Sequence, residues 1–114
     1  MTASQETTDS HDQTAVSLFR SLHAGDWPAA RARFTPRFRA ALGETELASI
    51  WRQLTARLGT LEEAAVIDRS SYDDLELRVV SLVFTGGTAV GRVSLRTPSG
   101  QVEGLAMEPP ALPS

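Results

Sequence analysis

The sequence has no cysteine and no lysine. The first absence removes a disulfide framework, a thiolate nucleophile and any zinc–thiolate site. The second leaves arginine as all 11 cations and removes Schiff-base and lysine-nucleophile chemistry. Histidine is scarce. His11 lies in a polar N-terminal stretch and His23 stands alone, which makes a poor metal site. Neither a metal nor a cofactor is expected. No apolar run approaches the roughly 20 residues that cross a membrane. A net charge of −3 with interspersed signs lacks the basic footprint of a nucleic-acid binder. "MTASQETTDSHD" has neither the basic nor the apolar segment of a signal peptide, so a cytoplasmic protein is expected.

What is present suits one globular domain. Chains of this size bury roughly two-thirds of their unfolded surface without staples, and 41% of these 114 residues are hydrophobic. Residues 1–11 are polar and aperiodic and read as a disordered tail. A single domain then fills 12–109, and a proline-rich tail occupies 110–114.

Asp9, Ser10 or Asp12 can cap a first helix, on which Ala15, Leu18, Phe19 and Leu22 repeat at three and four. The stretch "HAGDWPAARARF", 23–34, then sets His23, Asp26 and Trp27 within five residues. It reads as a joint. Gly25 stops one helix in the left-handed conformation, Asp26 or Trp27 caps the next, and Pro28 falls in its first turn. Trp27, Ala30 and Phe34 share a face of that short helix. Thr35-Pro36 starts another, ended by Gly43. Thr45 opens the longest helix, with Leu47, Ile50, Trp51, Leu54 and Leu58 as its apolar stripe and Gly59 as its stop.

After Gly59 the period changes to two. Strands are expected over 60–69, 75–84, 88–97 and 101–108, with hairpin turns at Gly86-Gly87 and Ser99-Gly100. Helices followed by an antiparallel meander give an α+β domain, with the helices on one face of a four-stranded sheet. In the second strand Leu75, Leu77 and Val79 alternate in one phase, and Val80, Leu82 and Phe84 in the other. A β-bulge in that strand near Val79-Val80 would return both sets to the core and bend the sheet into a cone.

The order and several motifs resemble the DUF3887 family, within the NTF2-like (cystatin-like) class. The similar stretches are "LFRSLHAGDWPAARARF", "LASIWRQLTARLG" and "SGQVEGLAMEP", spanning about 15–109. They carry Gly25-Asp26-Trp27, Trp51 with Gly59, and Gly104-Leu105. The resemblance implies a helix-on-curved-sheet cone and little chemistry. It also implies kinship with secreted or lipid-anchored modules, some placed ahead of an α/β-hydrolase. This chain shows neither a leader nor a G-x-S-x-G motif.

No catalytic residue is assigned. His23, three residues from Asp26, reads either as an Asp-oriented general base or as a surface group at a helix C-terminus, and the second needs no further partner. Asp26 is accounted for as a cap. Asp68 could point into the cone, as the base of an NTF2-like isomerase does. Such a site also needs an oxyanion donor, and Tyr72, the only tyrosine, falls at the rim. Trp27, Trp51, Asp68 and Tyr72 are the candidate pocket for a small apolar ligand, with Trp51 expected in the core and Trp27 more open. Arg78, Arg92 and Arg96 are expected on a solvated sheet face, with Glu103 opposite Arg96. Val90, Leu105 and Met107 would share that face and form a homodimer contact. The reading is a non-catalytic binding or assembly module. The alternatives are an NTF2-like small-molecule isomerase or hydrolase-type enzyme, and an accessory domain for a separately encoded enzyme. An inward Asp68 with a donor would favour catalysis. A filled cone and an apolar outer face would favour assembly.

Overall fold

The computed structural model describes residues 3–97 and 99–108, with side chains from Ser10 onward. Its helices are α1 (Ala3–Ala24), α2 (Trp27–Ala32), α3 (Pro36–Ala41) and α4 (Glu44–Leu58). Its strands are β1 (Leu61–Tyr72), β2 (Leu75–Phe84), β3 (Gly87–Arg96) and β4 (Gln101–Glu108). They form one antiparallel sheet in the order β1-β2-β3-β4, curved and unclosed. The expected α+β architecture is present.

The local signals act as expected. Gly25 ends α1 at φ +76°. Asp26 caps α2, its Oδ1 accepting the Ala29 N–H at 3.2 Å. Thr35 caps α3 by accepting the Phe38 N–H at 3.2 Å. Gly59 closes α4 at φ +91°. The start of α4 differs: Gly43 is its N-cap, and the Glu46 side chain accepts the Gly43 N–H at 3.1 Å. The longest helix is α1, with 22 residues against 15 in α4. It begins at Ala3, ahead of the expected caps, and includes His11, which was expected in a disordered tail. His11 is buried there, against the β3–β4 turn at Gly100.

The helices cover one sheet face. Leu18, Phe19, Leu22, Leu47 and Trp51 pack on Val80, Leu82, Phe84, Val93, Leu95 and Val102, all buried. Phe19 lies flat on Gly91, where a Cβ would come within 2.3 Å of the ring. Trp51 fills the space beside it, 6.4 Å from Phe19 and 5.8 Å from Phe84 between ring centres. The inside of the curved sheet is thus occupied by aromatic side chains.

Three register shifts interrupt the sheet, at Glu62 and Ile67 in β1 and at Glu103 in β4, and the last two decide where the candidate residues face. The expected bulge lies at the expected level but on the neighbouring strand. In β1, Val66 pairs with Val80 and Asp68 with Val79, so Ile67 is the extra residue. The β2–β3 ladder is regular throughout. Arg78, Val80, Leu82 and Phe84 are therefore the buried set of β2, and Leu75 and Leu77 fall on the outer face. The phase change in β2 is real, but an inward arginine resolves it, not an added residue. In β4 the shift between Ser94 and Leu95 leaves Glu103 unpaired. That extra residue turns Leu105 and Met107 inward, opposite Val93 and Gly91, where both pack on the core. Their expected place on the outer face is thereby corrected. Val90 does lie on the outer face, paired with Ser81 and Glu108.

Candidate functional site

The joint between α1 and α2 borders a cleft of about 600 Å³. Leu22, His23 and Trp27 line one side, Trp51, Arg52 and Thr55 of α4 the other, and Gly59-Thr60 the end. The Gly25 stop and the Asp26 cap turn the chain sharply enough to bring Trp27 over α4. There the Arg52 guanidinium lies 5.9 Å from the Trp27 ring centre, a cation–π arrangement. The His23 ring meets Trp51 edge-on, with centres 6.2 Å apart. Trp51 is nearly buried and forms the floor, while Trp27 is half-buried at the mouth.

Trp27 and Trp51 thus line one cleft, and His23 joins them. Asp68 and Tyr72 do not. Asp68 pairs with Val79 on the outer face, is exposed, and accepts the Arg69 N–H at 2.9 Å. The β1 bulge carries it there, since the residue after Ile67 changes face. Tyr72 is 69% exposed at the hairpin rim. Asp68 and Tyr72 therefore do not supply an acid and a donor facing each other inside the sheet.

The opposite end of α1 holds a cluster not expected from the sequence. Arg78 is only 1% exposed, on the inner face, and its expected solvated position is corrected. Its Nε donates to Asp12 Oδ1 at 2.7 Å, and its Nη1 to Glu76 Oε1 at 3.1 Å and to the Leu77 carbonyl at 3.0 Å. Arg69 also donates to Asp12, with Nε 2.9 Å from Oδ2. Burial pushes the Asp12 carboxyl up, but the hydrogen bonds and charges of Arg69 and Arg78 outweigh it and hold the group below its usual value. Glu76 is also held low, first by the Ser71 hydroxyl, then against burial by Arg78. The missed signal was parity. Counting back by twos from Phe84, Leu82 and Val80 puts Arg78 inward, where a buried guanidinium needs carboxylates.

A second network ties β4 to the helices. The expected Arg96–Glu103 pair forms, with Nε to Oε1 at 2.7 Å. It forms across a longer turn than expected, because Arg96 pairs with Gln101 and Glu103 reaches it from the bulge. Glu103 Oε2 also accepts the Thr35 hydroxyl at 2.7 Å, so the α3 cap is tied to the sheet. Thr35, then Arg96, hold Glu103 low, while Glu103, then Asp74, hold Arg96 high. Phe34 makes a parallel bridge to Val102, which covers part of the β4 edge.

Among the described residues no group of His, Asp and Glu is arranged to hold a metal, and no helix is long and apolar enough to cross a membrane. No known protein family and no curated protein matches the sequence.

Proposed function

We propose that this chain is a non-catalytic assembly module of NTF2-like kind that pairs with a second copy through the outer face of its sheet. The supporting observation is the composition of that face. Its register positions include Tyr72 on β1, Leu75, Leu77, Val79 and Val83 on β2, and Val90 on β3, and Ile67 stands exposed as the bulge residue of β1. Ile67 and Tyr72 are two of the three large apolar side chains that are exposed among the described residues. An antiparallel sheet with one face in water ordinarily alternates apolar-in with polar-out. Here the central strand is apolar on both faces. The face spans about 600 Å² in plan at ordinary strand spacings, against about 800 Å² per partner in a standard interface.

Charge selects the pairing. Asp68, Val79 and Arg92 form one row across β1, β2 and β3. A two-fold axis running along β2 sets Asp68 of each copy over Arg92 of the other, with Val79 against Val79. An axis across the strands would oppose Arg92 to Arg92 and Asp68 to Asp68, which is repulsive. The packing of Phe19, Trp51 and Phe84 inside the curved sheet favours this reading over the enzyme. Sedimentation tests it: the chain should run at twice its 12.3 kDa, and Val79→Glu should run at the single mass with unchanged far-UV circular dichroism. A wild-type chain that stays single at high micromolar concentration would refute the reading.

A further inference from the structure

The cleft at the α1–α2 joint lies among the helices, away from the outer sheet face, and self-assembly makes no use of it. Its lining groups share an unusual property. The Arg52 guanidinium stacks on Trp27 but makes no ion pair or hydrogen bond. His23 touches Trp51 by its ring alone. Neither indole N–H donates to the protein. Among the described residues, only His11 and Arg33 carry a buried side-chain nitrogen without a partner, so the Trp51 N–H keeps contact with solvent. No carboxylate lines the cleft. Asp26, next to it in sequence, caps α2 with its Oδ1. Glu62 and Glu63 border a separate, smaller depression on the far side of His23 and Ala24.

The cleft thus presents a guanidinium and no carboxylate, above an apolar floor of Leu22 and Trp51 with Trp27 at the mouth. The Arg52 guanidinium is a planar fork, and such a fork suits a carboxylate held by two parallel bonds. The two indole surfaces suit a flat apolar body. Pockets for small ligands occupy about 300–1,000 Å³, and this cleft lies within that range. We infer that it binds a small aromatic carboxylate, with the carboxylate on Arg52 and the ring against Trp27 and Trp51.

The chain has only two tryptophans, so their two indole N–H signals in a ¹⁵N–¹H spectrum report on the cleft directly, with Trp27→Phe assigning them. The probes are phenylacetate, its neutral isostere phenylacetamide, and phenethylamine as the cation. Phenylacetate should shift both signals saturably. Phenylacetamide should bind about tenfold more weakly, the scale of losing one charge-assisted pair, and phenethylamine should shift neither. Arg52→Gln should remove the preference for phenylacetate over its amide, and Arg52→Lys should keep part of it. Arg52 is exposed and holds no hydrogen bond, so the remaining spectrum serves as the check that either variant is folded. The inference is overturned if phenylacetate moves neither indole signal at high millimolar concentration. It is also overturned if the amide or amine binds as well, or if Arg52→Gln titrates like the parent. None of these outcomes depends on the chain pairing with itself.

Discussion

The two ends of α1 use the same residue types in opposite ways. Near its start, Asp12 takes hydrogen bonds from both Arg69 and Arg78, and Glu76 takes another from Arg78. Near its end, Arg52 lies against the Trp27 ring in a cleft that no carboxylate lines. Cations at the first end are spent on holding the helix to the sheet. At the second, Arg52 is exposed to solvent. The difference separates a structural arginine from one placed to bind: burial and paired partners mark the first, exposure and unspent donors the second.

Breaking the spent end should cost most. Asp12→Ala leaves the buried Arg78 without its nearest carboxylate and should cost about 3 kcal/mol, the lower part of the range for a broken buried pair. Arg52→Gln at the open end should stay within about 0.5 kcal/mol, as exposed substitutions do. Chemical denaturation of the two variants side by side checks the contrast, and equal losses would erase it. Where β3 meets the helix between these two places, Gly91→Ala drives a methyl into the Phe19 ring and should cost about 2 kcal/mol as overpacking. A cost near zero in the same measurement would mean that Phe19 can move away from the sheet.

Acid should also weaken the spent end first. Asp12, Glu76 and Glu103 have folded pKa values held below the unfolded ones. As pH falls, the unfolded chain takes up protons first, so stability declines. The contribution is complete above the unfolded carboxylate range of about pH 4. It is lost as pH falls through that range and on through the lower folded values. Asp12→Asn should flatten the acid side of a stability–pH curve, and an unchanged slope would remove Asp12 from the account. Among the destabilising variants the smallest effect belongs to the joint. Asp26→Ala removes the bond to the Ala29 N–H and should cost about 1 kcal/mol, seen as a modest fall in the denaturation midpoint.

How much of this was legible in the sequence followed the range of the cause. The stops at Gly25 and Gly59 and the caps at Asp26 and Thr35 depend on residues within one turn, and all four were readable. The early start of α1 was not, because Ser10 and His11 look like a polar tail until the Gly100 turn is placed beside them. The bulge level near Val79-Val80 was readable, but not its strand. A phase flip in one strand can be absorbed by its neighbour, provided that an inward arginine finds acids. The bulge at Glu103 left no signal in β4 itself, and missing it put Leu105 and Met107 on the wrong face. The candidate site divided the same way. Trp27 and Trp51 were placed by helix stripes and a joint, while Asp68 depended on a strand register that one extra residue reverses.

The claim that the outer face pairs with itself along β2 is tested most directly by a charge exchange followed by sedimentation. Asp68→Arg alone and Arg92→Asp alone should each weaken the pair, because each sets like charges across the two-fold axis. The double exchange should restore it, since the row Asp68–Val79–Arg92 is then reversed but still complementary. Recovery of the doubled mass in the double variant is the predicted result. A double variant no more associated than either single one would contradict the pairing.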